Sequence, residues 1–461
     1  VSKSIIILGA GESGVGAAKL ALSRGYVPFV SDAGNGKASF LGELSEAGID
    51  FEVGGHDTEN WPSTSTAVKS PGIPDSAPVL EYFRERKIEI ISEIEFASRH
   101  ASGRVVAITG TNGKTTTTAL IYRLLTDAGI NATCVGNIGT SWARDLAERT
   151  TPAEVTVVEA SSFQLDGTTS FRPDIAVLLN ITPDHLDRYD YKLSNYAASK
   201  WRITEYQTSE DYLVYNSDDE EIKTLLKTPG TKAQLAAVST ADRDESDMNT
   251  EAIDTENFSA EMNNKNEFII HTPHNQSFIM TIQELALQGK HNLFNSMAAG
   301  VTGRILELRN ESIRESLTHF EGIEHRLEYV ATVNDIRFVN DSKATNVNSV
   351  WYALECMDNP VIWIAGGIDK GNDYRDLLTL VENKVKVLIC LGKDNAKLIA
   401  TFKDKIETIH LAESAAEAVQ IAYDLGLPND TVLLSPACAS FDIFGSYEER
   451  GNAFKKAVKS L

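Results

Sequence analysis

Residues 107–116 read Ala107-Ile108-Thr109-Gly110-Thr111-Asn112-Gly113-Lys114-Thr115-Thr116. They join an apolar run, Val105–Thr109, through two glycines to a helical pattern that runs from Lys114 to Ala128. Strand, glycine turn and helix in that order make an anion site: glycines let backbone N–H groups approach phosphate oxygens, and the helix N-terminus adds positive potential. Lys114 is placed to reach terminal phosphates and the Thr115 hydroxyl to ligate Mg²⁺. Ile108 stands where the first glycine of G-x-x-x-x-G-K-[ST] belongs. Gly110, Gly113, Lys114 and Thr115 still predict nucleotide binding, against the plainer reading of a strand-turn-helix that tolerates a lysine.

A second glycine loop precedes it. Gly9-Ala10-Gly11-Glu12-Ser13-Gly14 follows the apolar run Ile5–Leu8 and opens a helix near Val15–Ser23, and Asp32 ends the next strand, Val27–Ser31. Alone the pattern suggests a dinucleotide enzyme. Its physical content is a diphosphate on a helix N-terminus and a carboxylate for a ribose or sugar hydroxyl, which UDP satisfies as well as NAD does. Close strand–helix packing without a ligand is the third reading.

Outward from these loops, strand-length apolar runs alternate with helical patterns, which predicts α/β architecture with largely parallel sheets. The first series closes with Ala67-Val68 and the turn Ser70-Pro71-Gly72. A second restarts near residue 100, with Val155–Val158 and Ile175–Leu179 as further strands. A third begins near residue 323 with Arg337–Val339, Val361–Ala365, Val385–Leu391 and Val432–Leu434, and a helix at Ala415–Leu425. Three domains are expected, at 1–99, 100–322 and 323–461. The polar, acidic stretch Asp242–Glu267 reads as a surface loop or edge-strand insertion.

Composition sets limits. The 461 residues are 42% hydrophobic and 23% charged, the range of folded globular chains. Net charge is −22 and no domain is basic, so nucleic acid and anionic membrane are not expected partners, and any anionic ligand needs a local cluster of cations. Cys134, Cys356, Cys390 and Cys438 form no C-x-x-C and are expected as buried free thiols. No secretory h-region or membrane span is legible, so a cytoplasmic protein is expected.

Four more segments complete a pattern: Glu159-Ala160-Ser161-Ser162-Phe163-Gln164-Leu165, Asn180-Ile181-Thr182-Pro183-Asp184-His185-Leu186-Asp187, Asn340-Asp341-Ser342-Lys343-Ala344-Thr345-Asn346 and Ser435-Pro436-Ala437-Cys438-Ala439-Ser440-Phe441-Asp442. With the two loops, they make the whole chain resemble the Mur ligases. The resemblance implies a Rossmann-like N-terminal UDP-substrate domain, a central ATPase domain and a Rossmann-like C-terminal domain that closes on ATP and the amino acid. It also implies ATP-dependent amide formation through an acyl phosphate, in peptidoglycan precursor synthesis. Within the family it is strongest to the ligases that add D-glutamate to UDP-N-acetylmuramoyl-L-alanine. A ligase for another amino acid and a folylpolyglutamate synthase-like ligase are the nearer alternatives. An NAD-dependent oxidoreductase would leave the Lys114 loop and Lys343 unexplained, and a nucleotide switch would leave the Gly9 loop unexplained.

Residue by residue, the resemblance implies ATP contacts from Gly110, Thr111, Asn112, Gly113, Lys114, Thr115, Thr116, Asn292, Asn295, Arg326 and Asp341. UDP-substrate contacts fall on Gly11, Glu12, Ser13, Gly14, Asp32, Ala33, Ser70, Gly72 and Asn137. The added amino acid meets Thr345, Lys370, Ser440, Phe441 and Tyr447, the last standing where many relatives have Phe. Glu159 follows the strand Val155–Val158, and a carboxylate there faces the crevice of an open sheet; with Thr115 it is implied to hold one Mg²⁺. His185 and a carbamylated Lys200 are implied to hold a second Mg²⁺, although most helical lysines face solvent and a nitrogen ligand is unusual for Mg²⁺. Lys114, His185, Lys200 and Lys343 are the catalytic set, in a chain expected to act as a monomer.

Overall fold

The computed structural model describes the chain apart from residues 1–2, 138–139, 229–230, 243–256, 274–276, 288, 321–323, 356, 358 and 370. The expectations for Cys356, for Lys370 and for most of the acidic stretch lie outside the described residues. The chain divides into two compact units: Val1–Leu285 with Asn292–Phe320, and Ala286–His291 with Glu321–Leu461.

The first unit carries two sheets. Strands β1 (Ser4–Leu8), β2 (Val27–Asp32), β3 (Asp50–Val53), β4 (Thr66–Lys69) and β5 (Glu89–Ser92) form a five-stranded sheet in the order β3-β2-β1-β4-β5, parallel throughout. The nine-stranded sheet runs β14-β13-β12-β11-β10-β9-β6-β8-β7. Its strands are β6 (Arg104–Thr109), β7 (Ala132–Gly136), β8 (Val155–Glu159), β9 (Ile175–Leu178), β10 (Tyr212–Asn216), β11 (Gln234–Asp242), β12 (Ser259–Met262), β13 (Glu267–His271) and β14 (Phe278–Thr281). β6, β8 and β9 are apolar on both faces and buried almost throughout, as central parallel strands require. β12, β13 and β14 pair antiparallel at one edge, with buried positions alternating with half-buried or exposed ones. Of the stretch Asp242–Glu267, read as a surface loop or edge-strand insertion, the described residues include β12, which pairs with β11 and β13 near that edge.

The second unit holds a six-stranded sheet, β15-β16-β20-β17-β18-β19, built from β15 (Glu328–Val333), β16 (Ile336–Asn340), β17 (Val361–Ala365), β18 (Val385–Leu391), β19 (Thr408–Ala412) and β20 (Thr431–Leu434). All pairs but β15 with β16 are parallel. Of the described cysteines, Cys390 and Cys438 are buried free thiols, but Cys134 is exposed. That corrects the expectation of burial: Cys134 sits on β7, the edge strand, where burial alternates and its side faces outward.

The two sheets of the first unit are joined by close contact between the helices Glu12–Ser23 and Trp142–Glu148. A Cβ on Gly16 would lie 2.1 Å from Ser141 Oγ and 2.9 Å from the Arg144 amide, so only glycine allows this approach. Charges complete the joint. Arg144 donates to Glu12 at 2.8 Å and to Glu43 at 2.6 Å, and Lys19 donates to Glu43 at 2.5 Å and Glu148 at 2.8 Å. Beneath them Glu93 is buried, accepting from the Ala143 amide at 2.6 Å, with its other oxygen lacking a partner among the described residues.

Burial pushes the Glu93 carboxyl from 4.5 up to about 7. A carboxyl raised on folding stabilises the fold below its unfolded value and loses that contribution as pH rises through the folded one. Glu93→Gln, which keeps the acceptor for Ala143, is therefore expected to raise the denaturant midpoint at pH 8 and to change it little at pH 4. Equilibrium unfolding at the two pH values checks this.

Candidate active site

The loop between β6 and the helix Lys114–Asp127 is shaped by its glycines. Gly110 and Gly113 have φ of +150° and +84°, and a Cβ on Gly113 would lie 2.4 Å from Asn295 Oδ1. The loop is pinned to the segment after β9. Thr111 N donates to Asn180 O at 2.9 Å, Asn112 N to Asn180 Oδ1 at 2.8 Å, and Asn180 Nδ2 back to Asn112 O at 3.0 Å. Thr111 Oγ1 accepts from Thr182 N at 3.0 Å.

Two lysines converge on this loop. Lys114 Nζ donates to the carbonyls of Gly110 and Thr111 at 2.8 Å, and Lys200 Nζ donates to the same Gly110 oxygen at 2.9 Å. Lys200, on the helix Leu193–Trp201, is only 1% exposed, and its ammonium lies 4.4 Å from the centre of the Tyr196 ring. Burial, with the Lys114 charge added, holds its pKa well below the ordinary lysine range, against the opposing pull of Asp184, Asp166 and Glu159. Burial of this kind disfavours the charged form of the amine.

Glu159 ends β8 and is buried. Its Oε1 accepts from Asn137 Nδ2 at 3.0 Å, while Oε2 has no partner among the described residues. An unpaired buried carboxylate oxygen is costly, and with the buried Thr115 hydroxyl in the loop's helix it makes a donor set of the hard type Mg²⁺ takes. Among the described residues no three His, Cys, Asp or Glu side chains form a group that could hold a metal ion. His185 follows β9 in the left-handed region, at φ 52°, with Phe163 edge-on to its ring at 5.1 Å and Asp184 3.7 Å from Nε2. Asn292 and Asn295 are buried on the helix Lys290–Ile305, and Asn295 Nδ2 has no partner among the described residues.

In the five-stranded sheet, a Cβ on Gly14 would lie 1.8 Å from the Gly9 carbonyl oxygen, so the helix starts hard against the strand end. Asp32 closes the loop over: Oδ2 accepts from Ala10 N at 2.6 Å and Oδ1 from Gly34 N at 2.7 Å. Glu12 turns away from the loop to Ser141 N, at 3.0 Å, and Arg144. Ser13 lies in the first turn, Ala33 is exposed, and Gly11 and Gly72 adjoin open space. The buried Ser70 hydroxyl, beside Gly9, has no partner among the described residues.

In the second unit, Asp341 follows β16, accepting from Ser435 Oγ at 2.9 Å and Leu327 N at 3.2 Å. Burial, opposed by the Arg326 charge, pushes it up to about 7. Lys343 Nζ lies 5.4 Å from the centre of the Tyr447 ring, Thr345 N donates to Lys343 O at 2.9 Å, Ser440 is buried and Phe441 is 69% exposed.

Arg450, missed in the sequence, holds these loops. Its Nε donates to Ser342 Oγ at 3.0 Å, Nη2 to Ser342 O at 2.8 Å, and Nη1 to Cys438 O at 3.2 Å and Gly366 O at 3.4 Å. One buried guanidinium thus ties the chain leaving β16, β17 and β20. Burial draws its pKa down to about 10. The available signal was spacing: Arg450, Phe454 and Val458 fall at i, i+4 and i+8 on the buried face of the helix Tyr447–Val458.

The model of the Mur ligase MurD-like N-terminal domain matches residues 3–92, that of the Mur ligase middle domain residues 108–303, and that of the Mur ligase glutamate ligase domain residues 325–438. The chain belongs to the Mur ligase family. It is 48% identical over 461 residues to the UDP-N-acetylmuramoylalanine--D-glutamate ligase of Christiangramia forsetii, covering 100% of both chains. It is 47% identical over 460 residues, again 100% of both, to the ligase of that name from Bacteroides fragilis. Among solved structures it shares its fold with the UDP-N-acetylmuramate-alanine ligase MurC of Thermotoga maritima, at TM-score 0.61, 18% identity and 99% coverage of each chain. The Thermotoga maritima MurF ligase in complex with ADP aligns at TM-score 0.59 and 14% identity, covering 94% of this chain and 95% of that one.

Arg450→Met is expected to lower the denaturant midpoint markedly, because each buried carbonyl left without a donor costs about 1–3 kcal/mol. Arg450→Lys, with three donors, should recover part of the loss in chemical unfolding followed by circular dichroism.

Proposed function

We propose that this chain joins D-glutamate to UDP-N-acetylmuramoyl-L-alanine at the expense of ATP, releasing ADP and phosphate. The observation that carries the reading is the pair of lysines on the Gly110 carbonyl, within electrostatic reach of the buried Glu159. The full-length relatives named above supply the substrates.

The substrate carboxylate attacks the γ-phosphorus of ATP, ADP leaves, and an acyl phosphate results. The amine of D-glutamate then attacks the acyl carbon, and phosphate leaves from the tetrahedral intermediate. Every species is anionic, so the protein's task is to gather negative charge and hold it in line. Backbone N–H groups at the helix end of the loop, from Gly113 to Thr115, cradle the ATP phosphates, those of Thr111 and Asn112 being held by Asn180, and Lys114 turns from its carbonyl partners to the terminal ones. Asn292 and Asn295 border the nucleotide, and Asn137 both holds Glu159 and faces the substrate. Mg²⁺, when bound, neutralises phosphate charge and aligns its oxygens. Thr115 with Glu159 would hold one ion, and His185 with Lys200 as a carbamate a second. The amine of Lys200 is poised for that modification because burial favours its neutral form.

In the first sheet, N–H groups of Gly11 to Gly14 receive the diphosphate, with Asp32 and Ala33 at the nucleoside end and Ser70 with Gly72 as the opposite wall. In the second unit Asp341 and Arg326 serve ATP, Lys343 the transferring phosphate, and Thr345, Ser440, Phe441 and Tyr447 the incoming glutamate. Lys370 is assigned to the same role on the motif alone. We read the chain as three functional domains at 1–99, 100–322 and 323–461. It works as a monomer in the cytoplasm, where ATP and nucleotide-linked precursors are available. No helix among the described residues is long and apolar enough to cross a membrane.

Phosphate release with UDP-N-acetylmuramoyl-L-alanine should depend on D-glutamate and not on L-alanine, L-lysine or diaminopimelate. Release with another amino acid alone would replace the reading. Lys114→Ala should lower kcat by about 10²-fold or more with the unfolding midpoint retained. Lys200→Ala should lose most activity, and millimolar acetate or formate should restore part of it. A fully active Lys200→Ala would remove the carbamate.

A further inference from the structure

At the carboxyl ends of β2 and β3, a hydrogen-bonded chain of four side chains lies next to Asp32. Ser31 Oγ, fully buried, is 2.7 Å from Glu52 Oε1 and 2.6 Å from His56 Nδ1. Glu52 Oε1 also accepts from Trp61 Nε1 at 2.7 Å and from the Asp57 amide at 3.2 Å. The turn before His56 is tied to the Asp32 turn by Gly54 N to Gly34 O at 2.8 Å and Gly55 N to Asp32 O at 3.4 Å. His56 is therefore in the loop cluster that receives the nucleoside end in open sheets of this kind.

Counting hydrogens decides the imidazole's tautomer. Ser31 has one hydroxyl hydrogen, and two oxygens 2.7 Å apart need a hydrogen between them. Glu52, already the acceptor of two N–H donors, supplies none, so Ser31 donates to Glu52. Toward His56 the same oxygen can then only accept. Nδ1 must carry the hydrogen, and in a ring with one N–H that puts the lone pair on Nε2. Nε2 has no partner among the described residues, and the ring is half-exposed. Asp32, by contrast, has each carboxylate oxygen engaged by a backbone amide.

We propose that His56 Nε2 accepts the N3–H of the uracil ring and so selects a UDP-linked substrate over one carrying cytosine, whose N3 is itself an acceptor. Ser31 and Glu52 are positioning residues that keep the imidazole in the accepting tautomer. This rests on the reading that the first sheet binds the UDP substrate. A site built to accept a hydrogen rejects the analogue that lacks it, because two acceptors are left facing one another.

The test compares the wild type with His56→Asn and His56→Gln in the full chain. Asn keeps an amide hydrogen for Ser31 and loses the Nε2 acceptor; Gln extends an amide oxygen toward the Nε2 position. For the wild type, UDP should inhibit at least about tenfold better than CDP, and 3-methyl-UDP should resemble CDP while 2′-deoxy-UDP resembles UDP. His56→Asn should raise KM for UDP-N-acetylmuramoyl-L-alanine about tenfold, with KM for ATP and D-glutamate within twofold or so, and should bring UDP and CDP within about threefold. His56→Gln should recover most of the selectivity. An unchanged UDP-to-CDP ratio in His56→Asn overturns the assignment, as does a rise in all three KM values together, which would mark a structural brace. Discrimination against 2′-deoxy-UDP instead of 3-methyl-UDP would also overturn it, giving the contact to the ribose. Failure of the wild type to saturate with the UDP-linked substrate would fell the underlying reading itself.

Discussion

The carbonyl oxygen of Gly110 accepts from both Lys114 and Lys200, at 2.8 and 2.9 Å, and that shared acceptor is the constraint around which the loop of the first unit is built. Two full positive charges on one buried oxygen repel each other strongly in a medium of low effective dielectric. The arrangement relaxes when one amine is neutral, when an anion lies between them, or when one amine becomes an anion. The loop geometry serves the same end. Left-handed glycines at 110 and 113 turn the backbone, and Asn180 and Thr182 stop it from turning back. The positive field is thus stored in a rigid frame, in a chain whose net charge is −22. General acidity and local cationic focus are compatible because only the nearest few groups set the potential in a narrow cleft.

Much of this was legible in the residues. The runs Val361–Ala365 and Val385–Leu391 and the helix Ala415–Leu425 were read with their observed bounds, because buried parallel strands and helices with one apolar face leave the strongest patterns. β15, β19 and the short strands β3 and β5 were not read. Their residues are half-exposed and mixed, and their pairing is decided by neighbours far along the chain. The helix Glu12–Ser23 starts earlier than its apolar pattern because Glu12 and Ser13 fill a first turn that needs no core contact.

The site divides along the same line. The Gly110–Thr115 loop announces itself, since its function needs glycines and a lysine at fixed spacing. Lys200 does not, because a helical lysine at the surface and one buried under a loop have the same local sequence. Arg450 and the Ser31–Glu52–His56–Trp61 chain were silent for a further reason. Their partners are carbonyls and side chains brought together only by sheet order, and backbone acceptors leave no mark on composition.

The guanidinium of Arg450 has a consequence for the order of the second unit. Three chain segments meet on it with no carboxylate among its hydrogen-bond partners in the described residues, so protein groups alone hold these loops in one arrangement. Arg450 therefore sets the order of three loops through acceptors that belong to the chain itself.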